Sequence, residues 1–449
     1  MNKFRLLLIF CVTVAMFASC TKQDVLAPSQ LPERTVTYAG KNAKKASSIA
    51  TDWMETIRAI VQSEGKNPPQ ASRIYAYASI AMYEAIVPGM GGYRSLGGQI
   101  PGMSPLAKKI KTGKVDYNLA VNETMHQVAL QIFGTLKPQN IILVENLYNQ
   151  YKNELPGKDK KDVVEETTNF TNEVVAMVLQ RVNNDNFFKT RSLVYQVPSN
   201  INNPSFWTAT SATLDPLEPY WGTIKCFAMA DGAACTIRST IPFNTTQGSA
   251  FYNQAKEVAT TTSSLSQSQK NIALWWADGG GTSTPPGHWI GIAGIMADKN
   301  NLGLGETAQM YAMLSVGMAD AFISCWNEKY RINLLRPLSY IRQYIPGNQN
   351  WSSFIGTPPF PEYPSGHSVA SGAAADILGK IFGKNVSFTD NTNIGFGFQP
   401  RNFQSFSQAA DEAAMSRLYG GIHYREAIEN GLKQGQEVSK TLFLKLKFK

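Results

Sequence analysis

The spacing of apolar residues is the feature that most constrains the fold, because apolar side chains recur every three or four positions from about residue 47 onward. In SSIATDWMETIRAIVQSEG, this spacing places Trp53, Ile57, Ile60 and Val61 on one face of a helix. Similar segments begin near residues 72, 121, 160 and 305, and strand-like alternation is scarce. The sequence therefore predicts an all-α fold in which long helices pack as bundles.

The segment from about 185 to 245 does not follow this pattern, since it is rich in Asn, Pro, Thr and Trp. We expect it to form long irregular loops over or between the helical bundles. On this basis the chain divides into an N-terminal helical region at 47–240 and a second, candidate catalytic helical region at 241–449.

The first residues resemble an export signal. Two basic residues precede the apolar run LLLIFCVTVAMF, which is too short to cross a membrane, and FASC resembles the lipobox of bacterial lipoproteins. This predicts a signal peptide at 1–19, lipidation of Cys20 and a polar tether at 20–46, with the protein exported and held at the outer membrane or facing the periplasm. The alternative is ordinary signal-peptidase cleavage beside a chance cysteine.

The composition narrows the class of protein. Hydrophobic residues make up 43% and charged residues 17% of the chain, values typical of a globular protein with a sizeable core. The net charge of +9 favours anionic partners, but without a long Lys/Arg block we expect no nucleic-acid binding. Cys226 and Cys235 are able to pair in an oxidising compartment, whereas Cys325 is expected to be an unpaired core residue.

The segment CWNEKYRINLLRP carries two cations in apolar surroundings. Lys329 and Arg336 are seven positions apart, nearly two helical turns, so one continuous helix would place both on the same face until Pro337 ends it. A solvated basic face is the alternative, but cations among apolar residues need an anionic partner. The segment is a candidate anion-binding surface.

The segment FPEYPSGHSVASGAAADIL contains the start of a helix. Its prolines delay the helix until Ser365, a good N-cap residue, and Gly366 permits close backbone approach. His367 then lies in the first turn, beside free N–H groups that favour an anion. A capped helix with a satisfied histidine explains this segment equally well on its own.

Two further segments supply possible partners. Arg417 and His423 flank a Gly-Gly pair in SRLYGGIHYREAIENG, and this pair would break the helix and let both side chains converge. Asp278 lies in the glycine- and proline-rich loop of WWADGGGTSTPPGHW, where it either orients an arginine or closes its own turn. Taken together, the four segments predict a pocket for a tetrahedral oxyanion, with one histidine ligating or attacking and the other moving protons.

These segments resemble a known family. Lys-x6-Arg-Pro, Pro-Ser-Gly-His and Ser-Arg-x5-His occur in this order and are similar to the signature of the vanadium-dependent haloperoxidase and type 2 phosphatidic acid phosphatase superfamily. The resemblance covers about 275–435 and implies two packed helical bundles, with vanadate as the cofactor of a haloperoxidase. It also implies that the oxyanion is bound by Lys329, Arg336, Ser365, Gly366 and Arg417.

The same resemblance assigns the histidines. His423 would ligate vanadium, or act as the nucleophile in a phosphatase, and His367 would be the acid–base group. Trp326 and Phe360 resemble residues that line the site in the soluble haloperoxidase branch, Phe360 in the chloroperoxidase type. Asp278 resembles an acid that pairs with a vanadate-binding arginine.

The chain departs from the family after the last histidine, where an acid often occurs four residues on and this chain has Ala427. Glu426 or a backbone carbonyl would have to orient the ring of His423 instead.

Three functions are consistent with the sequence. The leading one is a haloperoxidase that oxidises halide with hydrogen peroxide, and the alternative is an acid phosphatase that hydrolyses phosphate esters through a phosphohistidine. A non-catalytic oxyanion-binding lipoprotein is the third. The sequence leaves the halide, the organic substrate and the oligomeric state open.

Overall fold

The computed structural model describes residues 48–106, 114–155, 160–201, 203–210 and 215–449. The expected signal peptide, Cys20 and the whole tether lie outside these residues and stay predictions. Within the described ranges, no helix is both long enough and apolar enough to cross a membrane.

Helices dominate the fold, which confirms the all-α prediction. In chain order they are α1 Ser48–Ser63, α2 Pro68–Ile86, α3 Tyr117–Ile132, α4 Pro138–Glu154, α5 Lys161–Asn183, α6 Phe187–Thr190, α7 Ala250–Ser263, α8 Gln267–Trp275, α9 Thr284–Lys299, α10 Leu304–Ile332, α11 Pro337–Tyr344, α12 Gly366–Phe382, α13 Phe406–Tyr419 and α14 Arg425–Lys445. The predicted apolar face of α1 is fully buried, as Trp53, Ile57, Ile60 and Val61 show.

The helices pack around two central members. Helix α2 contacts α1, α3, α5 and α9, while α12 contacts α13 and α14. The 29-residue helix α10 packs against both α2 and α12 and so joins the two bundles. Because α9 and α10 both pack on α2, helical contacts cross the boundary expected at residue 240.

The irregular segment after α5 forms loops, as predicted. Between α6 and α7 the described part of this segment contains only one short turn of 3-10 helix, Trp221–Thr223. The fully buried Asp320 of α10 fixes the segment, because its carboxylate accepts the backbone N–H groups of Phe227, Ala228 and Met229 at 2.7–3.0 Å. The neighbouring Cys226 and Cys235 are buried free thiols, so the possible disulfide is not formed.

A small hairpin was not predicted from the sequence. Strands β1 Phe388–Asp390 and β2 Arg401–Phe403 pair antiparallel, with Phe388 opposite Phe403. Three residues per strand are too few to show a period of two, which explains the omission. The hairpin lies between α12 and α13 along the chain and contacts α9.

The structure corrects the prediction that Lys329 and Arg336 share one helix. Helix α10 ends at Ile332, because Asn333 takes a left-handed conformation with φ of 56°. The backbone of Leu334 then bridges to Phe206, and Pro337 begins α11 rather than ending α10. Proline disfavours helical backbone in the residue before it, so Arg336 is extended and reaches the pocket from outside the helix.

Close contact between α12 and α14 fixes the start of α12. A Cβ atom on Gly435 of α14 would lie 2.1 Å from the carbonyl oxygen of Val369, and one on Gly372 would lie 2.3 Å from that of Leu432. Both obstacles are backbone atoms, which cannot rotate away. Glycine is therefore required at these two positions.

We expect Gly435→Ala to destabilise the protein by about 3 kcal/mol or more, because the added methyl group forces α14 away from α12. The matched control is Gly379→Ala in α12, where a Cβ would meet no atom within 4 Å. This control should stabilise by about 0.5–1 kcal/mol through the lower entropy of the unfolded chain. Denaturant unfolding curves measure both changes, and equal effects of the two substitutions would contradict the close contact.

Candidate functional site

The predicted site residues meet where several helices begin or end. Lys329 lies in the last turn of α10, Arg336 directly precedes α11, and Ser365 is the N-cap of α12. Arg417 lies in the last turn of α13, and His423 lies in the turn before α14. The Gly-Gly break between α13 and α14 and the capped start of α12 are both confirmed.

Lys329 fixes the loop that precedes α12. Its Nζ is fully buried and donates to the carbonyl oxygens of Pro361, Glu362 and Pro364 at 3.0, 2.9 and 2.5 Å. Burial lowers the pKa of Lys329 to about 7, and nearby Arg336 adds to this effect while Glu362 opposes it. The ammonium group therefore both shapes the loop and brings positive charge to its inner side.

Arg336 also binds backbone oxygens. Its Nε donates to Phe360 O at 2.7 Å and its Nη1 to Ile422 O at 2.9 Å, and Nη1 lies 3.3 Å from Nε2 of His423. Burial lowers the pKa of Arg336 to about 10, so it stays charged at neutral pH. Its buried Nη2 has no hydrogen-bond partner among the described residues.

Arg417, like Arg336, binds a backbone carbonyl oxygen and a histidine. Its Nη1 donates to Trp276 O at 2.9 Å and to Nε2 of His367 at 2.7 Å. Burial lowers the pKa of Arg417 to about 10, while the charge of Asp278 acts in the opposite direction. Within the described part of the chain, the buried Nε and Nη2 of Arg417 also lack acceptors.

These unpaired atoms fit an oxyanion. A buried ionised donor without an acceptor is costly, and Arg336 and Arg417 together present three such nitrogens. A tetrahedral oxyanion such as vanadate or phosphate supplies several acceptor oxygens to guanidinium groups at once. The N-terminal turn of α12, from Gly366 onward, adds backbone N–H groups and positive partial charge, whereas the N–H of Ser365 already donates to Ala427 O at 3.1 Å.

A carboxylate that the sequence analysis missed orients His423. Oε1 of Glu362 lies 2.8 Å from Nδ1 of His423 and also accepts the backbone N–H of Tyr424 at 2.9 Å. This pairing places the ring proton on Nδ1 and leaves the lone pair on Nε2, which faces Arg336. Burial and the charges of Arg336 and Lys329 hold the pKa of His423 well below its usual range, so the ring is neutral and able to ligate.

Glu362 takes the place of the acid expected near Ala427. The candidate substitute Glu426 faces away, since it accepts hydrogen bonds from Ser239 and from the backbone of Thr240 and Ile241. Glu362 is 61 positions from His423 in sequence, so no helical spacing links the two residues. The one available signal was an acidic residue within FPEYPSGH, directly before the helix start.

His367 is the histidine expected to move protons. It is half-buried, unlike His423, and its Nε2 accepts a hydrogen bond from Arg417. Burial and the charge of Arg417 hold its pKa well below the usual range, which keeps the imidazole neutral. With Nε2 engaged by Arg417 and a lowered pKa, the ring is a weak base as it stands, and the acid–base role stays a prediction.

Phe360 and Trp326 form an aromatic wall. Their ring centroids lie 5.1 Å apart, and Nε1 of Trp326 donates to the carbonyl of Leu217 at 3.1 Å. The Phe360 ring also lies 5.1 Å from Nζ of Lys329 and 4.8 Å from the guanidinium carbon of Arg336. Both cations therefore contact an aromatic face in a site largely closed to water.

Asp278 does not make the arginine pair that was expected of it. Its two carboxylate oxygens lie 3.1 and 2.9 Å from Nδ1 of His288, and no ion pair joins it to Arg417 within the described chain. The Arg417 guanidinium instead binds the carbonyl oxygens of Trp276 and Ala277, immediately before the aspartate. Asp278 thus acts on Arg417 through its charge and through its loop.

Comparison with known proteins gives consistent results. Residues 309–448 match the family model described as the VCPO second helical-bundle domain. The vanadium chloroperoxidase of Curvularia inaequalis is 26% identical over 213 residues, an alignment that covers 34% of this chain and only 35% of that protein.

Solved structures extend the similarity to nearly the whole chain. A bacterial vanadium-dependent iodoperoxidase is 34% identical with a TM-score of 0.82, covering 91% of this chain and 98% of that one. A holo-type bacterial vanadium-dependent chloroperoxidase has a TM-score of 0.66 at 16% identity, covering 91% and 95% of the two chains, which shows a shared fold.

We expect Glu362→Gln to weaken vanadate binding by about ten- to a hundredfold, because the neutral amide no longer favours the proton on Nδ1 of His423. Glu426→Gln is the matched control, since it removes the same charge three residues after His423 without touching the ring. Titration calorimetry with orthovanadate measures both affinities. Equal affinities in the two variants would show that Glu362 does not orient the ligand.

The pocket also predicts a pH dependence for oxyanion binding. Burial lowers the pKa of Lys329 to about 7, and a bound anion favours its protonated, charged form. Affinity should be greatest below about pH 7 and fall by up to about tenfold per pH unit above it. Sulfate is a suitable probe, because its own charge stays constant from about pH 6 to about pH 9. A constant dissociation constant across this range would contradict the prediction.

Proposed function

The chain belongs to the vanadium-dependent haloperoxidases, and from that premise we propose that it binds vanadate and oxidises a halide with hydrogen peroxide. The observation that carries this proposal is the group of buried guanidinium nitrogens of Arg336 and Arg417 that have no partner among the described residues, with Nη1 of Arg336 lying 3.3 Å from Nε2 of His423. The charges of both arginines and of Lys329 lower the pKa of His423, which supports a shared site.

The residues present would hold vanadate through one histidine ligand and several hydrogen-bond donors. His423 would supply the single protein ligand through Nε2, with Glu362 fixing the ring. Arg336, Arg417 and the first turn of α12 would donate hydrogen bonds to the vanadate oxygens. When bound, vanadate supplies a Lewis-acid centre for the activation of hydrogen peroxide.

The protein controls charge and protons around that centre. Lys329 has its hydrogen bonds satisfied by the loop, so in its protonated form it balances negative charge without donating to the oxyanion. His367, which is partly accessible, would take a proton from peroxide once Arg417 turns from Nε2 to the bound oxyanion. Phe360 and Trp326 keep one side of the pocket apolar.

We propose iodide as the first halide to test. Support comes from the 34% identity to a protein described as an iodoperoxidase, over 91% of this chain. The phosphatase function uses the same geometry, because phosphate shares the shape and charge of vanadate and Glu362 would equally orient His423 as a nucleophile. Activity measurements on one preparation distinguish the two.

The protein reconstituted with vanadate should oxidise iodide with hydrogen peroxide, and His423→Ala should lower the rate by at least about a hundredfold through loss of the vanadium ligand. The matched control is His126→Ala, because His126 lies in α3 and pairs with Glu145 outside the pocket. Triiodide absorbance gives the rate, with bromide and chloride measured in parallel.

Two other outcomes would overturn this assignment. Hydrolysis of a phosphate monoester that depends on His423, without halide oxidation, would establish the phosphatase. Vanadate binding with neither activity would establish a non-catalytic oxyanion-binding protein.

A further inference from the structure

A second buried charge cluster lies next to the loop whose carbonyls bind Arg417, and it takes no direct part in the proposed reaction. His288 of α9 is held between two aspartates, with Nδ1 at 2.9 and 3.1 Å from the oxygens of Asp278 and Nε2 at 2.8 Å from Oδ2 of Asp390. All three side chains are at least 96% buried. The Trp276 ring stacks on the imidazole, with centroids 4.3 Å apart and planes 19° apart.

The hydrogen bonds define the charge of this cluster. Both ring nitrogens of a histidine donate only in the imidazolium form, so His288 is charged between two carboxylates. Burial alone would lower its pKa, but Asp278 and Asp390 outweigh burial and raise it to about 10. One positive and two negative charges leave the cluster with a net charge of −1, close to Arg417.

The cluster joins the pocket to the hairpin. Asp278, with φ of 42°, directly follows the two residues whose carbonyls bind Arg417, Trp276 and Ala277. On the other side, Asp390 ends β1, and its Oδ1 accepts the N–H and hydroxyl of Thr392. The position of the Arg417 guanidinium therefore depends on a loop that His288 ties to the rest of the fold.

The pairing of Asp278 with His288 affects which groups Arg417 can bind. The Nε and Nη2 of Arg417 have no partner in the part of the chain that the structure describes, and the Asp278 charge already acts on this guanidinium. Without His288, the Asp278 carboxylate would be buried without a cationic partner, a costly state that a nearby guanidinium relieves. Arg417 would then turn from the pocket toward the aspartate.

We propose that His288 is a positioning residue for oxyanion binding: it occupies both oxygens of Asp278, which leaves Arg417 free for the oxyanion. The inference rests on the proposed binding of vanadate by the pocket, and it extends to any tetrahedral oxyanion that the pocket takes.

The test compares vanadate dissociation constants, measured by titration calorimetry on vanadate-free protein. His288→Gln should raise the constant by at least about tenfold, as outer residues at metal sites often do. The matched control is His126→Gln, because His126 also pairs with a carboxylate and stacks on an aromatic ring, Glu145 and Tyr148, away from the pocket. This control should stay within about twofold of the wild type.

A double variant separates positioning from structural damage. In Asp278→Asn/His288→Gln no carboxylate remains at 278 to attract Arg417, so the affinity should recover to within about threefold of the wild type. The stability control is Asp390→Asn/His288→Gln, which removes the other buried carboxylate but leaves the Asp278 charge beside Arg417, so its affinity should stay as low as that of His288→Gln. Structural damage alone predicts equal recovery of affinity in both double variants.

The outcomes are distinguishable. A wild-type protein that does not bind vanadate would overturn the proposed function. A wild type that binds vanadate, with His288→Gln binding equally well or Asp278→Asn/His288→Gln binding no better than His288→Gln, would overturn the positioning role. If His288→Gln alone does not fold, Asp278→Asn/His288→Gln still decides, because an affinity as low as that of Arg417→Ala would contradict the proposal.

Discussion

The burial of three cations in one pocket is the constraint on which the rest of the structure depends. Lys329, Arg336 and Arg417 are essentially inaccessible to water, and removing them from water is costly. Backbone oxygens offset much of this cost, because carbonyls from residues 276–277, 360–364 and 422 point at the three side chains. These carbonyls stabilise the charges without neutralising them, so the net positive potential remains for an anion.

This arrangement explains the shape of the loops around the site. Carbonyl groups inside a helix already accept hydrogen bonds from N–H groups of the same helix. Only irregular backbone can therefore point several carbonyl groups at one ammonium or guanidinium group. The residues that receive these hydrogen bonds lie before α12, after α8 and between α13 and α14. The helical bundles provide the rigid frame, and their ends and connections provide the chemistry.

The parts of the fold set by local sequence were predictable. The period of apolar residues gave the helices, and Ser365 with its neighbouring prolines gave the start of α12. The motif predicts that Lys329, Arg336 and Arg417 share one oxyanion site, which stays a prediction. The helical argument for Arg336 was wrong, because α10 ends at Ile332 and Asn333 is left-handed. A left-handed residue that ends a helix depends on what the next segment pairs with, here Phe206, and that partner is distant in sequence.

The residues that the sequence did not reveal all depend on such distant contacts. Glu362 meets His423 across 61 positions, and His288 meets Asp390 across 102, through a hairpin whose strands are too short to recognise. Asp278 was recognised as a candidate, but its partner was assigned wrongly for the same reason. Spacing rules apply within one helix or strand, whereas these pairs form only after the bundles have packed.

The loop at 360–364 limits which sequence changes the site can tolerate. Its carbonyls receive Lys329 and Arg336, its Glu362 orients His423, and its end at Pro364 sets where α12 begins. One short segment therefore determines charge, ligand orientation and backbone donors together, and an insertion or deletion there would alter all three at once. The described part of the irregular segment between α6 and α7 contacts the aromatic wall at Leu217 and accepts no hydrogen bond from the three cations, so changes there would leave the charge of the site intact.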